Sequence, residues 1–271
     1  MEHTMQREAS GSSRRRVAIA LALAALATPA LAEQAADEMF GSLIWPDLQR
    51  EFLHGGPVVF DPRVQVRGPA FAEDPMNVPI TVSAQGLRDV DVITVIVDRN
   101  PIRKVLEYFP LGALPVVSFR FKLEQASPVR AAVRTRDGVW HVGGVLVDSA
   151  GGGCTAPSQT RRDGSWSRSL GELSARVFAQ SVTVGGSSAT TRLKLRVMHP
   201  MDTGLVSGIP AFYVNRLALL DSGGRELMRL NVFEPVSENP VFSFDFGERP
   251  VGALRLVGTD NNGNRIGGRV E

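Results

Sequence analysis

Short segments with the periodicity of β-strands recur along this 271-residue chain, with few helical patterns between them. From Val116 to Leu123, apolar residues alternate with Ser118, Arg120 and Lys122. Because successive side chains of a strand point to opposite faces, this pattern predicts one buried face and one face in water. Further short segments rich in β-branched residues predict strands at Val78–Ser83, Val90–Val97, Val129–Thr135 and Val139–Val147. This part of the chain therefore predicts an antiparallel β-fold.

The strand pattern stops at residues 149–170, which are rich in Gly, Ser, Thr and Arg and predict a linker. Beyond the linker, further strands are predicted at residues 192–197, 212–220, 226–232, 242–246 and 253–259. Residues 171–180 fit a helix or a strand equally well. Repeated short strands without helices between them predict an all-β protein of two antiparallel β-sandwich domains. The predicted domains are residues 33–148 and 171–271.

The N-terminus predicts an export signal followed by one short helix. Arg14–Arg16 precede the apolar run Val17–Ala27 and then Ala30–Ala32, the order of a secretory signal cleaved after Ala32. The apolar run is shorter than the roughly 20 residues of a membrane-spanning helix, so no membrane anchor is expected after cleavage. Residues 1–32 are therefore predicted to direct export to the periplasm, by the general or the twin-arginine route. A helix is predicted to start near Pro46 and to end at Gly55-Gly56.

The charge balance argues against nucleic-acid and anionic membrane partners. The formal net charge is +2, and residues 1–32 hold four arginines and two glutamates. The remaining chain is formally neutral, with 26 basic and 26 acidic residues. The chain has one cysteine, so it cannot form an internal disulfide, and its stability must come from packed cores.

The single cysteine is the main candidate for chemistry. Cys154 directly follows the glycines Gly151, Gly152 and Gly153 in the predicted linker. Glycine accepts almost any backbone geometry, so this segment predicts a flexible arm that presents a thiol to other proteins. The alternative is a linker with an inert thiol. Arg161 and Arg162 are the nearest cations in sequence, and they would either lower the pKa of the thiol or remain solvated surface charges.

Other patterns indicate no catalytic, cofactor or metal site. His54, His141 and His199 lack metal-ligand spacing, and no haem or dinucleotide motif is present. A dyad of Cys154 with His141 is conceivable, but a nucleophile on a flexible arm lacks the held geometry that catalysis needs. Trp166, alone in the polar linker, is expected to pin the linker to the second domain.

Four short motifs occur in order in the second domain, at residues 196–204 (RVMHPMDTG), 209–213 (IPAFY), 237–240 (SENP) and 260–263 (DNNG). They closely resemble SoxZ, one subunit of the SoxYZ sulfur-oxidation carrier. The first domain resembles SoxY more loosely, through residues 98–101 (DRNP), the strands with Arg120 and Arg134, and the glycine-flanked Cys154. This order is similar to fused SoxYZ-related carriers that are associated with quinoprotein dehydrogenases.

The resemblance implies two immunoglobulin-like sandwiches that pack together, with no catalysis by the chain itself. It also implies that Cys154 holds a sulfur intermediate covalently, as in thiosulfate oxidation, and presents it to periplasmic redox enzymes. In SoxY the cysteine lies at a free C-terminus, whereas here a second domain follows Thr155-Ala156-Pro157. A non-covalent accessory role for a periplasmic quinoprotein (PQQ-dependent) dehydrogenase is therefore the alternative.

Overall fold

The computed structural model describes residues 40–164, 166–180 and 190–270. The predicted export signal lies outside these residues. The described residues from 42 to 270 belong to one compact unit. Within the described residues, no helix combines the length and apolar character needed to cross a membrane.

The first half of the described chain holds helix α1 and nine strands. Helix α1 is Trp45–Phe52, and the strands are β1 (Val58–Phe60), β2 (Gln65–Arg67), β3 (Phe71–Ala72), β4 (Val78–Ser83), β5 (Val90–Val97), β6 (Lys104–Phe109), β7 (Val116–Phe121), β8 (Ser127–Thr135) and β9 (Trp140–Ser149). Two short helices follow, α2 (Gln159–Asp163) and α3 (Trp166–Ser169). The remaining strands are β10 (Leu173–Gln180), β11 (Thr190–Val197), β12 (Val214–Leu220), β13 (Glu226–Val232), β14 (Val241–Phe246), β15 (Leu254–Asp260) and β16 (Arg265–Val270).

These strands form two sheets, which confirms the mostly β prediction. One has the order β1-β9-β8-β5-β6-β13-β12-β15-β16, with β3 beside β9, and the other has the order β10-β11-β14-β7-β4-β2. Strand β6 pairs with β13 and β7 pairs with β14, both antiparallel. The two halves of the chain therefore join edge to edge in both sheets, over a shared apolar core. Strands β1 and β3 pair with β9 in parallel, unlike the antiparallel pairing expected from the sequence.

The alternation in β7 has the predicted effect on burial. Val117, Phe119 and Phe121 are buried, and Arg120 is exposed. The prediction for Lys122 was wrong, because this side chain is only 1% exposed. The backbone N–H of Lys122 donates to the carbonyl of Pro235 at 2.6 Å, so a segment of the second half covers this end of the strand.

Some elements differ from those predicted. Strands β4, β5 and β13 have the predicted bounds, and residues 173–180 form a strand. Strand β6 was missed because Val105 and Leu106 are both buried, which breaks the period of two. Helix α1 forms where predicted, and it packs Trp45 and Leu48 over β5, β8 and β9. Strand β5 is therefore buried on both faces along most of its length.

Candidate functional site around Cys154

The glycine segment lies along the end of β7 rather than apart from the fold. Gly151 and Gly152 have φ angles of 90° and 85°, which glycine adopts without a steric penalty. The N–H of Gly152 donates to the carbonyl of Glu124 at 3.1 Å, and the N–H of Gly153 donates to the carbonyl of Leu123 at 3.2 Å. The segment that the sequence predicts as a flexible arm is thus hydrogen-bonded to the first half in this structure.

Gly153 is required by close packing. A Cβ at this position would lie 2.1 Å from the carbonyl oxygen of Pro75 and 2.7 Å from that of Leu123. Both atoms belong to the backbone and cannot turn aside. The absence of a side chain at Gly153 allows its backbone to lie against the backbone of Pro75 and Leu123, whatever flexibility it also gives the segment.

The thiol of Cys154 is fully buried, with 0% of the residue exposed. Its S–H donates to the carbonyl of Lys122 at 3.4 Å, and its backbone N–H donates to the carboxylate of Glu124 at 2.9 Å. The hydroxyl of Thr203, from the second half, donates to the carbonyl of Cys154 at 2.7 Å. Residues of both halves therefore form the socket of this cysteine. The sequence predicts a displayed thiol, whereas in this structure the thiol is buried.

The socket favours the neutral thiol. Burial, together with the nearby carboxylate of Glu124, raises the pKa of Cys154 to about 12, and Lys122 opposes part of this shift. The thiolate is the nucleophilic form of cysteine, so the docked residue has little reactivity at neutral pH.

Lys122 is the cation beside Cys154. Its Nζ donates to the carbonyl of Met201 at 2.5 Å. Burial lowers the pKa of Lys122, and the negative charge of Asp202, of a Cys154 thiolate and of Glu238 raises it. A buried lysine is rare, and this one lies where the two halves of the chain meet at the cysteine.

Arg161 fastens the linker to the second half. Its guanidinium pairs with Asp202 at 2.7 Å and lies 4.2 Å from the ring centre of Trp166. The ring of Trp166 in turn meets that of Phe212 edge-on at 5.8 Å, which confirms that this tryptophan pins the linker. The sequence left open whether Arg161 supports the thiol or is a solvated surface charge, and in this structure it makes these structural contacts. The side chain of Arg162 lies outside the described residues.

Asn100 supports the socket from behind. Its Nδ2 donates to the carbonyl of Lys122 at 2.8 Å, and its Oδ1 accepts from the N–H of Glu124 at 2.9 Å. Lys122 and Glu124 are in turn the residues that contact Cys154. The sequence did not predict a role at this site for Asn100, Lys122, Glu124 or Thr203. The available signal was that Asn100 and Thr203 lie in the motifs that resemble SoxY and SoxZ.

The histidines take structural contacts. Nδ1 of His141 lies 2.8 Å from the carboxylate of Asp61. Burial lowers the pKa of His199 to about 4, although Asp260 opposes this shift. Neither histidine takes part in the hydrogen bonds of Cys154 described above. No group of three His, Cys, Asp or Glu residues suited to a metal occurs in the described part of the chain.

The raised pKa of Cys154 predicts a loss of stability at alkaline pH. The thiol titrates near 9.0 in the unfolded chain and near 12 in the folded protein. Its contribution to stability is therefore complete below about pH 9 and is lost as the pH rises towards 12. We expect the wild type to lose about 1.4 kcal/mol per pH unit in this window relative to Cys154→Ala.

Urea unfolding of both proteins at about pH 8 and about pH 10.5 measures this difference. Lys122 titrates in both proteins, so comparing them removes most of its contribution. A stability difference that stays constant between the two pH values would contradict the buried, neutral thiol.

The fold and the site define a class of protein, a two-sheet β-protein with a cysteine held where its halves meet. The family model described as "Sulfur oxidation protein SoxY" matches residues 49–154, and that described as "Sulphur oxidation protein SoxZ" matches residues 182–270. The chain is therefore a fused SoxYZ-like protein, with the SoxY domain first. The SoxY match ends at Cys154 itself.

Solved structures that match include the sulfur carrier protein SoxY from Chlorobium limicola f thiosulfatophilum. It is 19% identical, and the match covers 41% of this chain and 98% of that chain, with a TM-score of 0.35. No curated protein matches the chain. The two family matches together support a role as a carrier in sulfur oxidation.

Proposed function

We propose that this protein is a sulfur carrier that holds a sulfur-containing intermediate covalently on Cys154 and presents it to separate enzymes of sulfur oxidation. One observation carries the proposal. The only cysteine of the chain stands at the end of the SoxY match, on a glycine segment that hydrogen bonds hold along the end of β7. Hydrogen bonds of this kind contribute about 1 kcal/mol each, so the segment can be released without unfolding the sheets.

The docked position serves as the resting state of the carrier. Since Cys154 has no exposed surface, a group added to Sγ would have no route to solvent there. Loading therefore requires the segment of Gly151–Gly153 to leave the socket. Outside the socket the thiol loses the burial that raises its pKa, so a larger fraction of it is thiolate at neutral pH.

A second candidate function is favoured by the burial of the thiol. A cysteine with 0% exposure and a pKa near 12 is what an inert structural cysteine would have. In this case the protein is a non-covalent accessory module of a periplasmic quinoprotein dehydrogenase, and its surfaces rather than Cys154 carry the function.

Tetrathionate separates the two candidates. A thiolate attacks a central sulfur of tetrathionate, forms a new S–S bond and releases thiosulfate, which leaves a thiosulfonate on the cysteine. We expect native protein to gain one such group at neutral pH, as measured by intact mass, and dithiothreitol to remove it. Loading should be slow, because only the undocked fraction reacts.

Cys154→Ser is the control, and it should gain no mass. If the native protein stays unmodified while protein unfolded in urea is modified, the thiol is never released and the carrier function is wrong. Normal growth on a sulfur substrate with the Cys154→Ser variant in the source organism would favour the accessory function instead.

We also propose that the chain works in the periplasm after removal of residues 1–32. The order of arginines, apolar run and small residues in this segment supports the proposal. N-terminal sequencing of the protein from the periplasmic fraction is expected to begin at Glu33. Recovery of the intact chain from the cytoplasm alone would contradict export.

A further inference from the structure

A groove of about 610 Å³ lies on the outer face of the six-stranded sheet. Four exposed cations line it: Arg176 on β10, Lys194 and Arg196 on β11, and Arg120 on β7. We call these four residues the basic groove. Nothing in the site around Cys154 uses them.

The cations of the basic groove repel one another. Arg176 lies directly opposite Lys194 in the antiparallel pair β10–β11, and Arg196 is two residues further along β11. Like charges in opposed positions destabilise a sheet. Within the described residues, none of the four forms an ion pair. On the same face of β11, by contrast, Arg192 is neutralised by Asp245 at 2.7 Å.

The carboxylates of the groove are engaged elsewhere. Asp74 accepts a hydrogen bond from the N–H of Met76 at 2.9 Å. Glu238 accepts from the N–H groups of Gln159 and Thr160, at the start of α2. Four cations against these two carboxylates leave the groove with a formal excess of positive charge, and a negatively charged ligand would relieve the repulsion.

The basic groove and the cysteine segment share a wall. Asp74 and Met76 line the groove, and the residue between them is Pro75. The carbonyl of Pro75 accepts from the N–H of Leu123 at 2.7 Å and is the atom against which Gly153 packs. A molecule bound in the groove would therefore lie beside the segment that carries Cys154.

The dimensions favour an extended acidic peptide over an inorganic anion. The groove could hold about 20 waters at roughly 30 Å³ each, and a tetrahedral oxyanion would fill a small part of it. From β10 to β7 there are three strand spacings, or about 14 Å, which matches about four residues of extended chain. Phe178 is 47% exposed in the groove, and Val241 offers a second apolar contact.

We propose that the basic groove binds an extended acidic segment of the partner protein that acts on Cys154. The role of that partner rests on the proposed carrier function. The chemistry of the segment rests on the groove, which requires carboxylates for the four cations and at least one apolar side chain for Phe178. Charge attraction of this type would speed the encounter of the two proteins and place the partner beside the cysteine segment.

The test uses a fluorescein-labelled octapeptide of six glutamates and two leucines as the probe. Anisotropy titration with the wild type is expected to give saturable binding at about 20 mM salt, weakened severalfold at about 200 mM salt. The double variant Arg176→Glu with Lys194→Glu should raise the Kd about tenfold or more. The single variant Lys194→Glu, measured without peptide, should raise the unfolding temperature, because it replaces an opposed like-charged pair with an attractive one.

The matched control is Arg255→Glu with Arg269→Glu. These two exposed arginines are also directly opposed, but on the other sheet, between β15 and β16. The control makes the same change in net charge and should change the Kd less than about twofold. An equal loss in both double variants would overturn the proposal, since the probe would then report net charge alone. Displacement of the peptide by thiosulfate or sulfate at sub-millimolar concentration would overturn it in favour of an inorganic anion site.

Two further measurements separate this proposal from the carrier function. The Cys154→Ser variant should bind the peptide as the wild type does, and the double variant Arg176→Glu with Lys194→Glu should still be loaded by tetrathionate. Peptide binding without loading by tetrathionate would contradict the carrier function and the partner's role at Cys154. Loading by tetrathionate without peptide binding would contradict the groove proposal alone.

Discussion

Gly153→Ala is expected to raise the rate at which a thiol reagent modifies native Cys154 by about 100-fold or more. The added Cβ would lie 2.1 Å from the carbonyl oxygen of Pro75, so the segment cannot occupy its socket. Four hydrogen bonds at the backbone of Gly152, Gly153 and Cys154 are then lost, at about 1 kcal/mol each. Each 1.4 kcal/mol corresponds to a factor of ten in the population of the released state. The rate of reaction with a chromogenic disulfide at pH 8 measures the effect.

Two other glycines provide graded controls. A Cβ at Gly152 would meet no atom within 4 Å, but its φ of 85° would strain an alanine, so an intermediate increase is expected. Gly247 has neither a close neighbour nor a positive φ, and Gly247→Ala should react as the wild type does. Equal rates for Gly153→Ala and the wild type would show that the segment is not docked in solution.

The sequence predicted the sheets because their signal is local. In β11 the alternation of apolar and polar residues corresponds to burial position by position, and in β7 and β14 it does so except at Val116 and Asp245. The prediction failed at Lys122 because its burial depends on a segment more than 100 residues away, around Pro235. Strand β6 was missed for a local reason, because the consecutive buried residues Val105 and Leu106 break its period of two.

The sequence singled out Cys154 as the candidate, but it predicted a displayed thiol rather than a buried one. A run of glycines before Cys154 has the same pattern whether the chain is a free arm or a closely packed segment. What decides between them here is the backbone opposite Gly153, at Pro75 and Leu123, which no local pattern specifies. No local pattern predicts the hydrogen bonds that the backbone of Cys154 makes with Glu124 and Thr203 either.

The motifs that resemble SoxY and SoxZ converge on this socket. Asn100, from the first motif, clamps the backbone that holds Cys154. Thr203, from the motif at residues 196–204, donates to the carbonyl of Cys154. Glu238, from the motif at residues 237–240, accepts from the N–H of Thr160 at the start of α2. Three of the segments that resemble SoxY and SoxZ therefore meet at the site, although they lie far apart in the sequence.

Asp98→Ala is expected to lower the free energy of unfolding by about 3–5 kcal/mol. The carboxylate of Asp98 forms a bidentate ion pair with the guanidinium of Arg130, and both side chains are almost fully buried. The guanidinium also lies 4.2 Å from the ring centre of Trp45, so it is held under α1. Removing the carboxylate leaves a positive charge in the interior without its main partner, which is the costly way to break a buried pair. Urea unfolding at pH 7 measures the loss.

The same variant should also release Cys154, because Asp98 anchors the turn from which Asn100 reaches Lys122 and Glu124. Glu226→Ala is the surface control. It removes the carboxylate that pairs with the partly exposed Arg216 and Arg229, and it should cost less than about 1 kcal/mol. Replacing both Asp98 and Arg130, with leucine and methionine respectively, should recover much of the lost stability, since neither charge of this pair then remains buried. A loss for Asp98→Ala as small as that for Glu226→Ala would show that water reaches Arg130, and that the turn beneath the cysteine socket is open.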